Sequence, residues 1–488
     1  MEVSRAPMAG SGPPQPLELL GHLVYNGCRL FLALPFSGVG GMAGGKSNPF
    51  FHRGPIRRRE YFCGRADDIG QSLSLLRNGQ NVAQVGQRRI GKTSLLFHIA
   101  DPVVFEAHGL HRGEHLFVYL DGTELGRLSP DEVLGLLLDQ LAAALSAASG
   151  SIELSRAPRD GLSYRDFREA ILKVTEAGLK PIFLFDEFES LAGNPHLGPR
   201  FFSGLRALSS QFDLSFVTAS RESLLRLTYA NAQTLSSPFF NTFANLHLGL
   251  FAESESRCVV EALATQAALD LPPQTVDHIL ELAGPHPLLL QIAGFHAVEL
   301  WEEEGWQADR DAEWRRRFMA EAEPHFEYYW RHLTGTDRYA LATLPSSQHE
   351  EAHREAIHRL ARACLIRERQ QQYTYLSPAF EEFVRRQPVP HLVQLGPFLL
   401  DFPRHAALCH RVPLKVTKTE FKALAHLIRH AGQVVTPEEL EKALWEDEYV
   451  EDPERVRAVI KSLRKALGDE ADCLVTKWGV GYLFQVFS

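Results

Sequence analysis

The feature that most constrains the fold is the segment Gly86-Gln87-Arg88-Arg89-Ile90-Gly91-Lys92-Thr93, which lies between an apolar strand pattern and a helical run. It matches G-x-x-x-x-G-K-[ST], a loop whose glycines turn backbone N–H groups toward phosphate oxygens. We expect Lys92 to reach the outer phosphates, Thr93 to offer its hydroxyl to magnesium, and Ser94 to belong to the same site. The segment therefore predicts a phosphate-binding loop at the carboxyl end of a strand.

The region around this loop has the alternating strand and helix patterns of an α/β domain. From residue 49 to about 250, short β-branched runs alternate with helical patterns, which indicates a parallel sheet covered by helices. An apolar strand ends in Asp186 and Glu187, roughly ninety residues after the loop. We expect Asp186 to hold magnesium and Glu187 to polarise the attacking water, because in-line hydrolysis needs a base near the outer phosphate.

A further predicted strand, 214–218, leads into Arg221. Two interpretations of Arg221 stay open. Its guanidinium senses the outer phosphate, or it forms a surface ion pair with Glu222.

The remaining patterns divide the chain into further segments. Residues 1–48 are rich in Gly, Pro, Ala and Ser and predict a flexible leader, with Met42 as an alternative translation start. Helical spacing throughout 251–310 predicts a lid after the sheet domain at 49–250. Residues 311–386 end in a helix, two short strands and a helix, which indicates an inner winged helix. Two prolines near residue 390 mark the boundary of a last domain, 387–488.

Together these features resemble the ATPases of the STAND branch near the AAA+ proteins, especially the archaeal-type ATPases, over residues 49–386. That family opens with a box that packs by the adenine. It is matched here by Tyr61-Phe62-Cys63-Gly64-Arg65-Ala66-Asp67-Asp68. The resemblance implies that Phe62, Gly64 and Arg65 contact the nucleotide, and that ATP or ADP with Mg²⁺ are the cofactors.

Two other elements of the family have counterparts in this chain. Its Thr-x-x-Arg-like element is matched by Thr218 and Arg221, and its Gly-Gly-x-Pro element by Gly284-Pro285-His286-Pro287, where Pro285 replaces the second glycine. The resemblance implies a nucleotide contact for His286. The alternative is that His286 only begins a helix.

The last domain combines short strands, three helices and a closing hairpin. We expect the helices at Thr419 to His430, from Pro437, and at about Pro453 to Leu467, with Thr436 as the N-cap of the second. These features resemble the DNA-binding domain of OmpR/PhoB-type response regulators. The matching residues are Leu414, Thr417 to Phe421, His430 to Thr436, Leu444-Trp445, Leu463 to Asp469 and Gly479-Val480-Gly481-Tyr482.

The third helix and the hairpin carry the candidate contacts to double-stranded DNA. Val456, Ile460, Leu463 and Leu467 have core spacing. The cations that this leaves outward or flanking are Arg455, Arg457, Lys461, Arg464 and Lys465. Lys477 and Trp478 lie in the hairpin, where the family usually offers an arginine at the position of Trp478, and Leu483 replaces a second arginine. The domain has thirteen Lys and Arg against fourteen Asp and Glu, a net −1, so a protein-docking role is the alternative.

Charge, cysteine content and hydropathy limit which partners and which compartment we expect. The net charge of −9 restricts any nucleic-acid contact to a local patch. The six cysteines show neither a CxxC pair nor zinc-finger spacing, which fits a reducing cytoplasm. The sequence contains no run of eighteen apolar residues, which a membrane span would need. We therefore expect a cytoplasmic protein without a membrane partner.

The sequence thus predicts an α/β P-loop NTPase domain with a helical lid, followed by two winged-helix domains. The leading hypothesis is an ATPase, which need not be fast, whose nucleotide state controls sequence-specific DNA binding in transcription. Two alternatives stay open: a signalling or defence scaffold that uses its winged helices for protein contacts, and a DNA-loading ATPase like the origin-recognition proteins. A protein or signal partner and homo-oligomerisation belong to these hypotheses.

Overall fold

A computed structural model describes residues 48–486 except for several short segments. The segments left out are 52, 149–153, 155–161, 231–237, 305–309, 345–352, 390–391, 403, 411 and 446–452. The predicted leader, including Met42, therefore lies outside the described residues except for Asn48 at its end. The described chain forms two compact units, one ending at Asp277 and the other beginning at His278.

A five-stranded parallel sheet organises the first unit. Its strands are β1 (Asn81–Val85), β2 (His115–Asp121), β3 (Lys180–Asp186), β4 (Ser215–Ser220) and β5 (Phe243–His247), in the order β2-β3-β4-β1-β5. Every neighbouring pair is parallel, so all the carboxyl ends lie along one edge. The strand predicted to end at Thr218 continues to Ser220 because β4 pairs with β1 as far as Val85.

Helices cover both faces of this sheet, as the near-continuous burial of its strands requires. They are α1 (Ala66–Arg77), α2 (Lys92–Ile99), α3 (Pro102–Ala107), α4 (Gly122–Leu125), α5 (Pro130–Ala148), α6 (Tyr164–Glu176), α7 (Phe188–Ala192), α8 (Pro199–Gln211) and α9 (Leu224–Ala230). One large cluster of buried side chains joins β2, β3 and β4 to α5, α6 and α8. Phenylalanines are prominent in it, with Phe183, Phe185 and Phe216 packed ring to ring along β3 and β4.

The chain after β5 is helical, as the apolar spacing predicts. The helices are α10 (Glu253–Gln266), α11 (Pro273–Ala283), α12 (Pro287–Glu304) and α13 (Asp311–His332). The second unit then continues with α14 (Gly335–Ala342), α15 (Arg354–Arg362), the antiparallel pair β6 (Ile366–Arg369) and β7 (Gln372–Tyr375), and α16 (Pro378–Arg386). The helix, two strands and helix that close the predicted inner winged helix are therefore present.

The last part of the second unit begins with the antiparallel strands β8 (Leu392–Leu395), β9 (Phe398–Asp401), β10 (Ala406–Cys409) and β11 (Val412–Pro413). It continues with α17 (Lys418–Arg429), β12 (Val434–Val435), α18 (Pro437–Leu444) and α19 (Pro453–Leu467), and closes with β13 (Leu474–Lys477) and β14 (Gly481–Phe484). The strands β12, β14 and β13 form a second antiparallel sheet. This is the arrangement of strands, three helices and hairpin that the sequence predicts.

Helix caps in this domain show which local predictions are confirmed. The Thr436 side chain accepts a hydrogen bond from the backbone N–H of Glu439, and the Glu439 carboxylate accepts one from the N–H of Thr436. The N-cap predicted at Thr436 is therefore confirmed. The helix predicted to begin at Thr419 begins at Lys418 instead, because Thr417 forms the same reciprocal box with Glu420.

The predicted core stripe of α19 is also confirmed, since Val456, Ile460, Leu463 and Leu467 are all buried. They join a core shared with α17, α18 and the terminal hairpin. Among the helices that the structure describes, none has both the length and the apolar composition needed to cross a bilayer.

Candidate functional site

The predicted phosphate loop connects β1 to α2 at the carboxyl edge of the sheet. Gly91 has a φ of 102°, a conformation that favours glycine, and lies directly before the helix. A Cβ added to Gly86 would lie 2.9 Å from the carbonyl oxygen of Leu248 and from Cγ2 of Ile90, so only glycine fits there. Both glycines of the motif are therefore required by the backbone of the loop.

Lys92 is buried at the base of this loop. Its Nζ donates hydrogen bonds to the carbonyl oxygens of Gly86, at 2.9 Å, and of Gln87, at 3.1 Å. Burial lowers the pKa of Lys92, while the negative charges of Glu189, Glu187 and Asp186 act in the opposite direction. The amino group thus lies in the field of the carboxylates that follow β3. This is the arrangement expected for a cation that exchanges loop carbonyls for phosphate oxygens.

Arg65 is buried and connects the loop to the segment that follows β5. Its guanidinium donates to the carbonyl oxygens of Ile90, at 3.0 Å, and Gly249, at 2.7 Å, and pairs with Asp68 at 3.1 Å. The preceding Gly64 has a φ of 80°, and a Cβ there would lie 2.9 Å from the Glu255 carboxylate. The Gly64-Arg65 pair therefore ties the loop to its neighbours. A direct contact of Arg65 with nucleotide stays a prediction.

Phe62 and Ser94 take part in contacts between α2 and the segment that precedes α1. Phe62 is buried and stacks on the His98 ring, with 3.9 Å between centroids. The Ser94 hydroxyl accepts a hydrogen bond from the N–H of Ile56 at 3.0 Å. Thr93, which precedes Ser94 on the helix, is half-buried. The segment before α1 therefore packs along the helix that begins at the phosphate loop.

Asp186 is the last residue of β3 and Glu187 follows it; β3 lies two strands from β1 in the sheet. Asp186 is buried, and its carboxylate accepts hydrogen bonds from the Tyr119 hydroxyl, at 3.1 Å, and from the Glu187 N–H, at 3.0 Å. Glu187 has a left-handed backbone with φ 43°. Burial raises the pKa of Glu187, and Glu189 and Asp186 raise it further, whereas Lys92 lowers it.

Arg221 follows β4, the strand that lies between β1 and β3. Its Nε donates to Glu189 at 2.6 Å, and the Glu189 side chain is only 12% exposed. The ion pair predicted as the alternative was with Glu222, so the structure changes the partner. Sequence reasoning missed Glu189 and Tyr119. The only signal for Glu189 was its place in the acidic run after β3.

The donor set of these residues fits magnesium and a phosphate chain. Asp186 supplies a buried carboxylate, Thr93 a hydroxyl, and Lys92 a cation next to loop carbonyls. Magnesium takes oxygen ligands, such as this carboxylate and this hydroxyl, and usually keeps several waters. Thr93 and Asp186 are therefore the residues that would hold the metal.

His286 lies in the second unit, just before α12, whereas the phosphate loop belongs to the first. Its side chain is 2% exposed, and its Nε2 lies 3.4 Å from the Tyr329 hydroxyl. Gly284 has a φ of 60°, and a Cβ there would lie 2.2 Å from the Leu376 carbonyl oxygen. The nucleotide contact of His286 stays a prediction.

The seven candidate DNA-binding residues fall into two groups. Arg457, Lys461 and Lys465 are exposed and recur every fourth residue, which places them along one face of α19. Lys477 is exposed in the hairpin beside Trp478, which is 91% exposed. These five side chains are exposed to solvent, and the Arg457 guanidinium also pairs with the Glu454 carboxylate on the same helix.

The other two cations have structural contacts. The Arg464 guanidinium donates to the Leu474 carbonyl oxygen, at 2.8 Å, and to the Thr476 hydroxyl, at 2.7 Å. Arg455 lies over the Trp445 ring, 4.3 Å from its centroid. Arg464 therefore holds the hairpin against α19, and Arg455 packs between α19 and the end of α18.

Comparison with known proteins matches two regions of the chain to protein families. Residues 68–350, more than half of the chain, match the family described as Novel STAND NTPase 2. Residues 411–484 match the family described as Transcriptional regulatory protein, C terminal. The two matches correspond to the resemblances predicted from the sequence, and they establish an NTPase joined to a response-regulator-type DNA-binding domain.

Individual relatives are similar over parts of the chain. The regulatory protein VanRc of Enterococcus gallinarum is 33% identical over 90 residues, covering 18% of this chain and 39% of its own length. The two-component response regulator PhoP of Pseudomonas aeruginosa is 32% identical over 120 residues, covering 23% of this chain and 52% of its own. This chain thus spans about half or less of those relatives. A Walker-type ATPase of Pyrococcus abyssi is 18% identical, with a TM-score of 0.48, covering 69% of this chain and 99% of that one.

Proposed function

The chain belongs to the Novel STAND NTPase 2 family, and we propose that it is an ATP-dependent switch that controls sequence-specific DNA binding by its carboxyl-terminal domain. The observation that carries the proposal is the joining, in one chain, of that NTPase to a transcriptional-regulator domain. ATP is the proposed nucleotide and transcription the proposed process.

Different residues of the first unit bind the phosphates, bind magnesium and activate the attacking water. Lys92 and the backbone N–H groups of the loop hold the phosphates, and Thr93 and Asp186 hold magnesium. Bound magnesium supplies positive charge that offsets the charge developing on the phosphoryl oxygens. Glu187 orients and polarises the attacking water. Its raised pKa suits a group that must accept a proton near neutral pH.

Arg221 has a second part in this proposal. Its guanidinium pairs with Glu189 beside the carboxylates that follow β3. An outer phosphate carries more negative charge than one carboxylate, so it competes with Glu189 for the same cation. We propose that nucleotide binding draws Arg221 toward the phosphate, which makes this side chain a sensor of the nucleotide state.

The output belongs to α19 and the hairpin of β13 and β14. Arg457, Lys461 and Lys465 lie on one exposed face of α19, and an α-helix is narrow enough to enter a major groove. The proposed relay runs through the lid at 251–310 and the inner winged helix at 311–386. ATP can bias this relay only by binding two arrangements of the chain with different affinity.

The decisive experiment is selection of bound sequences from random DNA duplexes by the full chain, with Mg·ATP, Mg·ADP or no nucleotide, at one stated salt concentration. We expect an enriched sequence whose recovery depends on nucleotide. Lys92→Ala should abolish nucleotide binding and make recovery independent of nucleotide. Lys173→Ala, an exposed lysine on α6, is the matched control and should behave as the wild type.

One observation favours a second candidate function, a scaffold that contacts proteins. The tip of the hairpin exposes Trp478 by 91% and Val480 by 57%, where a DNA-reading hairpin usually presents polar groups. Exposed aromatic residues are enriched in protein interfaces. Absence of any enriched DNA sequence with all nucleotides would refute the DNA switch and support the scaffold.

A further inference from the structure

The carboxyl-terminal domain brings four side chains of metal-binding type together from two distant segments. Cys409 and His410 lie at the end of β10 and in the turn that follows it. Glu470 and Cys473 lie in the 3-10 helix Gly468–Cys473, between α19 and β13. The two segments are sixty residues apart in sequence, so no short motif could reveal the cluster.

The ligand atoms of three of these residues are close to one another. The Cys409 sulfur, an imidazole nitrogen of His410 and a carboxylate oxygen of Glu470 all lie within 4.8 Å of one another. His410 Nε2 is 2.9 Å from Glu470 Oε1. The other carboxylate oxygen, Oε2, lies 3.5 Å from the Cys473 sulfur. One carboxylate therefore lies between an imidazole and a thiol.

Local backbone structure explains why Glu470 lies beside Cys473 and how His410 is held in its turn. In a 3-10 helix, residues three apart eclipse one another, so Glu470 and Cys473 share a side of that turn. His410 has a left-handed φ of 46° in the turn after β10, and its N–H donates to the Pro397 carbonyl oxygen at 3.0 Å. Cys409 is in the core of the domain, whereas the His410 side chain is 67% exposed. The cluster therefore extends from the core to the surface.

We propose that Cys409, His410 and Glu470 bind a divalent metal ion of the zinc class, with Cys473 as the fourth ligand. Sulfur, imidazole nitrogen and carboxylate oxygen are the ligands that zinc takes, in a tetrahedron with bonds of about 2.0 to 2.3 Å. Such bonds separate neighbouring ligand atoms by about 3.3 to 3.8 Å. The 3.5 Å separation is within this range, and the 2.9 Å separation is shorter. The 4.8 Å limit applies to Cys409, His410 and Glu470, which must approach by about 1 Å on binding. Cys473 adjoins this group of three through the second Glu470 oxygen.

The position of the site gives the metal a structural role. It would join the turn after β10 to the 3-10 helix that leads from α19 into β13. That segment links the two elements that carry the proposed DNA contacts. The bound ion would thus limit the movement of the hairpin relative to the strands at the start of the domain. The site requires neither nucleotide nor DNA.

The test begins with the full chain, treated with a chelator and a phosphine reductant and then freed of both. Titration with Co²⁺ should give one equivalent bound, with the absorption of a tetrahedral ion and a thiolate-to-cobalt charge-transfer band. Zn²⁺ should displace the cobalt and abolish both absorptions. Competition with a chromophoric chelator then gives the zinc affinity.

Variants of the two ligands nearer the surface test the assignment without disturbing the core. His410→Ala and Glu470→Gln should each weaken zinc binding by about tenfold or more. Cys409→Ser with Cys473→Ser should remove the charge-transfer band, with circular dichroism to show that the fold is retained. Cys258→Ser, a cysteine on α10 outside the cluster, is the matched control and should change neither quantity.

Two results would overturn the proposal. One is unchanged zinc affinity in both His410→Ala and Glu470→Gln. The other is a thiolate-to-cobalt band that persists in the Cys409→Ser, Cys473→Ser double variant. Either result would leave the cluster as an ion pair of His410 with Glu470 beside two buried thiols.

Discussion

Glu187 shows at the scale of a single residue how position and environment combine. Its backbone is left-handed, its carboxyl group lies beside Glu189 and Asp186, and burial is the largest cause of its raised pKa. A carboxylate with these neighbours holds a proton at higher pH than an ordinary glutamate. Burial of this carboxylate beside two others destabilises the fold, but the raised pKa that results suits Glu187 to act as a base.

We predict that Glu187→Gln abolishes ATP hydrolysis while nucleotide binding is retained, because the amide cannot accept a proton but keeps the size of the side chain. In the wild type, the hydrolysis rate should rise with pH through a pKa above the usual range of glutamate. The measurements are phosphate release across pH and the affinity for a fluorescent nucleotide. Hydrolysis at the wild-type rate in the variant would show that another group is the base.

His98, on the phosphate-loop helix, should make stability depend on pH. Burial lowers its pKa from 6.5 to about 4, with Asp101, Arg59 and His108 among the neighbouring charges. The folded state therefore binds the proton less well than the unfolded state. This contribution to stability is present above pH 6.5 and is lost as the pH falls toward 4.

We predict that His98→Asn reduces the loss of thermal stability between pH 7 and pH 4. Between pH 7 and pH 4 the wild type should lose at most about 3 kcal/mol more free energy of unfolding than the variant. Melting temperatures measured by circular dichroism at several pH values test this. Identical pH slopes for the two proteins would show that His98 does not contribute.

At the scale of elements, the start of α4 is packed against the end of β3. Gly122 is buried, and a Cβ there would lie 2.5 Å from the carbonyl oxygens of both Asp186 and Glu187. These are backbone atoms that cannot rotate away. The end of β2 therefore helps to position the carboxylates that follow β3.

We predict that Gly122→Ala lowers the free energy of unfolding by about 1 to 3 kcal/mol and weakens Mg·nucleotide binding, because the backbone after β3 must shift. Gly113→Ala, in an exposed turn with no atom within 4 Å of the added Cβ, is the control. Chemical denaturation and nucleotide titration test both variants. Equal effects of the two substitutions would contradict the packing argument.

The helix α19 should show two separable effects of removing a cation. Lys461 and Lys465 are exposed, whereas Arg464 bonds to the hairpin backbone. We predict that Lys461→Ala with Lys465→Ala weakens DNA binding and reduces the salt slope by about 0.9 for each phosphate that is no longer neutralised, with stability unchanged. Arg464→Met should lower stability by about 1 to 3 kcal/mol, because the Leu474 carbonyl loses a charged donor.

Affinity for a selected duplex at several salt concentrations, together with thermal melting, distinguishes these outcomes. Lys173→Ala again controls for loss of a positive charge elsewhere. An unchanged salt slope in the double lysine variant would remove α19 from the proposed DNA contacts.

At the scale of the whole molecule, the nucleotide site and the basic helix belong to different compact units. Coupling between them is a free energy, and it must be reciprocal. We predict that Mg·ATP and Mg·ADP give different DNA affinities, and that the selected duplex changes the affinity for each nucleotide by the same factor by which that nucleotide changes the affinity for DNA. The measurements are DNA titrations at saturating nucleotide and nucleotide titrations at saturating DNA.

Lys92→Ala should remove both changes, because a chain that cannot bind nucleotide has nothing to couple. A DNA affinity that is the same with ATP, with ADP and without nucleotide would refute the switch, even if the chain hydrolyses ATP and binds DNA separately.

The sequence alone determined the features that depend on neighbouring residues. The phosphate loop, the strand that ends at Asp186, the N-cap at Thr436 and the buried stripe of α19 follow from local backbone chemistry and from periodicity. Periodicity indicates which face of an element is buried, and capping patterns indicate where a helix begins. The density of these local signals also made both family resemblances recognisable.

Only the tertiary structure decided which side chains from distant segments meet. It paired Arg221 with Glu189, attached Arg65 to Ile90 and Gly249, and placed Tyr119 on Asp186. It divided the cations of α19 into exposed and structural groups, and it collected Cys409, His410, Glu470 and Cys473 into one cluster. The physical reason is that these contacts depend on strand order and on the packing of elements, which local propensity does not encode.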